Sequence, residues 1–164
     1  MTANRFLHDD LLLNGETARR LYHEVAATVP VIDVHTHLPV DELAGDRVFQ
    51  TLTELWLEGD HYKWRAMRLA GLDEEVITGT ADPWDKFVAW AQTVPRLIGN
   101  PLYLWTHLEL RRVFGIDVAL SPATAHEVWE EANRQLPGWP VSRLLGHFRV
   151  SMLATTRPRL APSD

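Results

Sequence analysis

The chain has 164 residues, 46% of them hydrophobic, which is enough to bury the core of a domain of ordinary size. Its formal net charge of −6 argues against a nucleic-acid-binding surface, which needs clustered positive charge. The lack of cysteine excludes disulfides and cysteine metal sites, so we expect a cytoplasmic protein. Because no apolar run approaches the ~20 residues of a membrane span, we expect no membrane partner either.

Helical spacing of apolar residues, bounded by proline, glycine and capping residues, predicts a mostly helical chain. Polar residues over 72–81 predict a loop. In chain order, the predicted elements are an extended lead-in over 9–13, a helix over 16–28, a strand over 31–36, a helical turn over 41–43, helices over 48–56, 60–70, 82–95, 100–114 and 121–136, a short helix over 141–145 and a strand over 148–155.

The two predicted strands are an unusual feature, because about a hundred residues of helix and loop separate them. Sheets usually hold several strands, and parallel strands are normally joined by a much shorter crossover. Two interpretations follow. Either the fold is essentially helical, or the first two strands of a larger barrel are separated by a large insertion and the remaining strands are missing.

The first predicted strand ends in a His-x-His pair, formed by His35 and His37. Side chains alternate along a strand, so both imidazoles lie on the same face. Two such groups can hold one divalent cation or present two polar groups to one substrate, and parallel α/β barrels place their sites at this end of a strand. Histidine pairs also occur as ordinary polar strand ends, so this motif is weak by itself.

Four blocks of sequence, over 6–13, 33–39, 57–68 and 99–112, carry a resemblance to a known family. The most specific is Gly-Asp-His-Tyr-Lys-Trp-Arg at 59–65. On these blocks the chain resembles the N-terminal part of uronate isomerase (glucuronate isomerase), in the amidohydrolase superfamily.

The resemblance implies an α/β fold, namely an N-terminal fragment of a distorted TIM (β/α)8 barrel. A large helical insertion over about 40–140 would follow the first strand, which leaves the fragment mostly helical as it stands. Residues 1–156 would form this barrel portion and 157–164 a divergent tail.

The resemblance also implies an activity and a site. The reaction would be the aldose–ketose isomerisation of D-glucuronate to D-fructuronate, and of D-galacturonate to D-tagaturonate, in hexuronate catabolism. His35 and His37 match a pair that contacts a divalent metal, for which zinc is the first candidate. His61 and Tyr62 match a pair that reaches the active site, where a proton must move from C2 to C1 with general acid–base help. Full-length relatives would form homo-oligomers.

The residues alone favour plainer roles for the second pair and its neighbours. His61 would be exposed in a first helical turn, and Tyr62 would be a core aromatic. Lys63, Arg65 and Arg68 could hold a uronate carboxylate, but helix-surface cations are usually solvated. The charged residues of the helix over 100–114 are expected to pair with one another at i,i+3 and i,i+4.

The match departs from the family after Thr156, where the family continues with Asp-Asp-Pro and here Arg-Pro-Arg follows. We therefore expect a truncated or frame-shifted product with weak or no isomerase activity, which the DNA sequence beyond Asp164 would test. Two alternatives stay open. One is a metal-dependent hydrolase of the same superfamily, and the other is a non-catalytic helical module that binds a partner.

Overall fold

A computed structural model describes residues 7–156, so Phe6 and the predicted tail over 157–164 lie outside the described residues. The described chain is mostly helical and contains one small sheet of two parallel strands. The described residues divide into two compact units, a strand unit of residues 7–46 and 141–156, and a helical unit of residues 47–140. The helical unit falls inside the predicted insertion over about 40–140; that it interrupts a barrel stays a prediction.

The strand unit contains both strands and three short helices. The predicted helix over 16–28 is helical throughout but not uniform, because its first α-helical turn continues as a π-helix over Leu21–Val25 and a 3-10 turn over Ala26–Thr28. The elements are α1 (Glu16–Arg20), β1 (Val31–Thr36), α2 (Val40–Ala44), α8 (Val141–His147) and β2 (Val150–Thr155).

The extended lead-in predicted over 9–13 is wrong, because this segment forms tight turns. The backbone N–H of Leu11 donates to the His8 carbonyl at 3.0 Å, and that of Leu13 donates to the Asp10 carbonyl at 2.9 Å. Leu12 has a φ of 68°, in the left-handed region that leucine rarely adopts.

Arg149 sets the start of β2 beside β1. The predicted strand over 148–155 begins two residues later, since Arg149 has a φ of 54° and cannot continue an extended backbone. Its carbonyl accepts a hydrogen bond from the N–H of Val31 at 2.9 Å, and its guanidinium donates to the carbonyls of Thr28 at 3.1 Å and Val29 at 3.2 Å. The turn before β1 is thereby tied to the residue before β2, which fixes the parallel pairing of Val31 with Val150.

The helical unit is built from five helices, four of which begin at a capping side chain that accepts a backbone N–H. Capping by Asp60, Asp82 and Asn100 agrees with the sequence prediction, and the left-handed Gly115 ends the longest helix. The helices are α3 (Leu52–Leu57), α4 (His61–Leu69), α5 (Pro83–Thr93), α6 (Pro101–Phe114) and α7 (Ala125–Gln135), with 3-10 turns at Glu74–Val76, Val94–Leu97 and Leu136–Gly138.

The helix predicted over 121–136 begins four residues late, at Ala125. The hydroxyl of Thr124 donates to the Ala119 carbonyl at 2.7 Å and accepts the N–H of Ser121 at 3.0 Å. This side-chain-closed turn competes with the first helical turn, so Ser121-Pro122 opens a turn and not the helix.

The core of the helical unit lies around α5. Phe87 and Trp90 are fully buried there, and the Phe87 ring stacks on Trp56 with centroids 6.3 Å apart. Large aromatic rings bury much apolar area each, so this cluster supplies a major share of the stability of the unit. Within residues 7–156, no helix is long and apolar enough to cross a membrane.

His107 of α6 is a buried histidine with both ring nitrogens engaged. Its Nε2 accepts the backbone N–H of Leu120 at 3.0 Å, so Nδ1 carries the proton and donates to the Tyr103 carbonyl at 2.7 Å. Burial lowers the pKa of His107, and the bond to the Tyr103 carbonyl only partly opposes this effect. The neutral ring therefore ties the segment after α6 to the helix.

We expect the free energy of unfolding to fall as the pH drops below 6.5, the ordinary pKa of histidine. The unfolded chain then binds a proton that His107 does not bind in the folded chain. The free energy of unfolding therefore falls by up to about 1.4 kcal/mol per pH unit until the lowered pKa of folded His107 is reached. Urea unfolding from pH 7.5 to 5 should show a shallower slope for His107→Gln than for the unsubstituted chain. The exposed His126, replaced by glutamine, serves as the control and should keep the original slope; equal slopes for all three chains would contradict the assignment.

Candidate functional site

His35 and His37 converge at the carboxyl end of β1. Their Nε2 atoms lie 3.2 Å apart, and the rings meet edge to face with centroids 5.1 Å apart. Both side chains are exposed, and the Asp33 carboxylate accepts the backbone N–H of His35 at 3.1 Å. The end of β2 lies alongside, where the N–H of Thr156 donates to the Thr36 carbonyl at 2.9 Å.

The spacing of this histidine pair fits two ligands of one metal ion. Two imidazole nitrogens bound at the usual distance in a tetrahedral zinc site lie about 3.3–3.4 Å apart. A direct hydrogen bond between the rings also fits 3.2 Å, with one nitrogen donating and the other accepting. Among residues 7–156 there is no group of three or more histidine, aspartate or glutamate side chains that could hold a metal, so this part of the chain offers two ligands.

His61 and Tyr62 form the first turn of α4, in the helical unit. Their rings lie 4.3 Å apart between centroids, and both side chains are exposed. The reading of Tyr62 as a core aromatic is wrong, since its exposed fraction is 55%, whereas His61 lies in a first turn as expected from the residues alone. The Arg65 guanidinium lies over the Tyr62 ring, 5.9 Å from its centroid.

The Asp60 carboxylate caps this first turn of α4. One oxygen, Oδ1, accepts the backbone N–H groups of Tyr62 at 2.9 Å and Lys63 at 3.1 Å. The other, Oδ2, accepts a hydrogen bond from the Lys63 ammonium at 2.7 Å. Burial raises the pKa of the Asp60 carboxyl, but the Lys63 charge and these hydrogen bonds outweigh it and hold the pKa below its ordinary value.

Lys63 departs from its prediction as a solvated helix-surface cation, because only 7% of the residue is exposed. Glu109 departs from the predicted pairing within α6 as well. Its half-buried carboxyl accepts a hydrogen bond from Trp56 of α3 and interacts electrostatically with Lys63 and Asp60. Burial raises the pKa of Glu109, the Lys63 ammonium opposes that rise, and Asp60 adds to it.

The four predicted site residues therefore form two pairs, one in each compact unit. His35 and His37 belong to the strand unit, and His61 and Tyr62 belong to the helical unit. The structure brings the members of each pair together, and their catalytic and metal-binding roles stay predictions. Sequence reasoning missed the partly buried polar group next to the second pair, formed by Asp60, Lys63 and Glu109.

These features define an α/β chain, largely helical, with a histidine pair at the carboxyl end of a parallel strand. The glucuronate isomerase family model matches residues 3–160, and the chain belongs to this family. Among similar proteins, uronate isomerase of Marinomonas sp. (strain MWYL1) is 53% identical over 154 residues, and that of Shouchella clausii (strain KSM-K16) is 48% identical over 165 residues. These alignments cover 92% and 99% of this chain.

Two solved structures of uronate and glucuronate isomerases are also similar to this chain. Uronate isomerase from Thermotoga maritima superposes with a TM-score of 0.89 at 39% identity, covering 93% of this chain and 34% of that one. Glucuronate isomerase from Caulobacter crescentus superposes at 0.81 with 24% identity, covering 92% of this chain and 34% of that one, and supports the fold alone. The chain thus spans about a third of the length of the relatives it matches (33% of the Marinomonas protein).

Proposed function

We propose that this chain supplies the N-terminal third of a uronate isomerase that converts D-glucuronate to D-fructuronate and D-galacturonate to D-tagaturonate. The observation that carries the proposal is the family match over residues 3–160, with 53% identity to a uronate isomerase. The two residue pairs lie on the segments that carry the resemblance, over 33–39 and 57–68. A cytoplasmic location and homo-oligomeric assembly of the complete enzyme are parts of the same proposal.

The exposed faces of the sheet support a barrel as the complete fold. Val34 is 76% exposed, and Ile32 on the same face and Val31 on the opposite face are exposed too. Parallel strands are normally covered on both faces, so exposed valine and isoleucine side chains on both faces of β1 favour a larger parallel sheet. A (β/α)8 barrel takes ~250 residues, so helices and strands from the other two-thirds of the enzyme would cover the outer and inner faces.

The exposed side chains of His61 and Tyr62 suit the proton transfers of this reaction. A proton leaves C2 of the uronate and arrives at C1, while a second proton moves between the two oxygens. The Tyr62 hydroxyl can donate to a substrate oxygen, and the His61 imidazole can accept a proton and return it. Their exposed position at a helix start leaves both groups open to a substrate.

His35 and His37 would hold a divalent metal, zinc by preference, through their Nε2 atoms. When bound, such a metal supplies a Lewis acid that stabilises developing negative charge on a substrate oxygen. Catalytic zinc usually has three protein ligands, so the complete enzyme would contribute at least one more. Metal analysis of the complete assembly, compared with its His35→Asn variant, tests this part: equal metal content in both would contradict it.

The function is tested by fragment complementation. The 164-residue chain is mixed with a polypeptide that carries the remaining two-thirds of the Marinomonas relative. We expect the two to co-elute in size-exclusion chromatography and to convert D-glucuronate to D-fructuronate, whereas the chain alone shows no substantial conversion. NMR of the sugar products measures both conversions directly.

The matched control replaces this chain by the corresponding N-terminal third of the Marinomonas protein itself. If that control pair is active and the pair with this chain is not, the proposal is wrong. Co-elution without turnover would instead support a non-catalytic partner-binding module. Substantial turnover by the 164-residue chain alone would contradict the expectation of an inactive fragment.

A further inference from the structure

The start of α4 is fixed by a partly buried ion pair as well as by an ordinary helix cap. Asp60 Oδ1 accepts two backbone N–H groups, as capping residues commonly do. Its second oxygen binds the Lys63 ammonium at 2.7 Å, so both ends of the carboxylate are held. The Asp60 side chain is 30% exposed, whereas that of Lys63 is only 9% exposed.

Stability alone explains a buried lysine at this position poorly. Taking an ammonium out of water is costly, and well-packed apolar side chains of similar volume are often as stabilising as a buried ion pair. The ion pair instead fixes the orientation of the Asp60 carboxylate, since a carboxylate held at both oxygens cannot rotate away from the N–H of Tyr62.

The Lys63 ammonium also interacts with a carboxyl group of another helix. Glu109 of α6 interacts electrostatically with Lys63 and accepts a hydrogen bond from Trp56 of α3. The side chain that holds the Asp60 carboxylate is therefore close enough to α6 to interact with Glu109, which itself contacts α3.

We infer that Lys63 is a positioning residue for Tyr62, acting through the Asp60 carboxylate that holds the Tyr62 backbone N–H. The lowered pKa of Asp60 agrees with this, because the carboxylate stays charged and keeps its ammonium partner. The catalytic part of the inference rests on the proposed isomerase function. The structural part concerns only the order of the first turn of α4.

Amide hydrogen exchange of the 164-residue chain, followed by NMR, tests the structural part. We expect Lys63→Met, which removes the charge and keeps an apolar stem, to speed exchange of the Tyr62 amide about five- to tenfold, because a charge-assisted hydrogen bond is lost. Amides in the middle of α5 should change less than twofold. In an Asp60→Asn background, which keeps a capping oxygen, Lys63→Met should have less than a twofold further effect.

The matched control is Lys86→Met, because the Lys86 ammonium also donates to an internal acceptor, the Gly79 carbonyl, at 2.6 Å. It should leave the Tyr62 amide unchanged. An unchanged Tyr62 amide in Lys63→Met, or a uniform rise across the helical unit, would overturn the inference. So would an undiminished effect in the Asp60→Asn background, since Lys63 would then not act through Asp60.

The catalytic part is read in the complemented assembly. Lys63→Met should lower kcat about tenfold and leave KM within twofold, because a misplaced catalytic group slows the chemical step more than it weakens binding. An unchanged kcat beside a faster Tyr62 amide would overturn the catalytic part. If the unsubstituted assembly shows no turnover, the proposed function fails, and amide exchange still decides the structural part.

Discussion

Replacing Tyr62 with phenylalanine is expected to lower kcat of the complemented assembly by about 100-fold or more, with little change in KM. The substitution removes one hydroxyl and keeps the ring, so the contact with the Arg65 guanidinium and the first turn of α4 are retained. A positioned general acid contributes about 10²–10⁴ in rate, and the effect falls on the transition state. Initial rates over a range of D-glucuronate concentrations give both constants.

Tyr22→Phe is the matched control, because Tyr22 is also exposed and lies in the strand unit outside the candidate site. Its kcat should stay within twofold of the unsubstituted value. A Tyr62→Phe assembly that co-elutes normally and keeps full kcat would remove Tyr62 from the catalytic set. Full kcat together with a large rise in KM would make it a binding group instead.

The local part of the fold is predictable because its signals lie within a few residues of each other. β1 has the predicted bounds of 31–36, since Pro30 and Pro39 flank a short segment rich in β-branched residues. The caps of α4, α5 and α6 are the predicted ones, because an Asp or Asn oxygen satisfies helix N–H groups wherever the helix packs. The start of α7 at Ala125 is less predictable, since a Thr124 hydroxyl bond competes with the first helical turn.

Long-range partners are the part that the sequence does not reveal. Lys63 resembles any helix-surface lysine in the sequence, but the fold buries it and brings it into electrostatic interaction with Glu109 of α6. His107 likewise accepts the backbone N–H of Leu120, thirteen residues away in the sequence. Periodicity predicts which face of a helix is apolar, and it carries no information about which polar group from another helix meets that face.

The candidate site also has one part that local sequence predicts and one part that it does not. The His35–His37 convergence follows from strand alternation and needs no tertiary information. Tyr62 is different: its residue type and spacing favour a core aromatic, and only the resemblance over 57–68 predicts an exposed functional group. The family resemblance therefore adds information at Tyr62, where residue type and spacing alone favour a buried side chain.

Trp90→Ala is expected to lower the free energy of unfolding of the helical unit by about 3–5 kcal/mol, the usual cost of removing a buried aromatic side chain. Trp90 is fully buried in α5, beside the Phe87 cluster, so the cavity left behind cannot fill with water at low cost. An effect of this size is a large fraction of the stability of a typical domain. Urea unfolding followed by circular dichroism measures it.

Two further variants separate burial from ring chemistry. Trp105 is a tryptophan of α6 that is half exposed, and Trp105→Ala should cost less than about 1 kcal/mol. Trp90→Phe should cost less than about 1.5 kcal/mol, because it keeps most of the volume. It also removes an indole N–H for which the described residues provide no hydrogen-bond acceptor. Equal losses for Trp90→Ala and Trp105→Ala would contradict the placement of the core around α5.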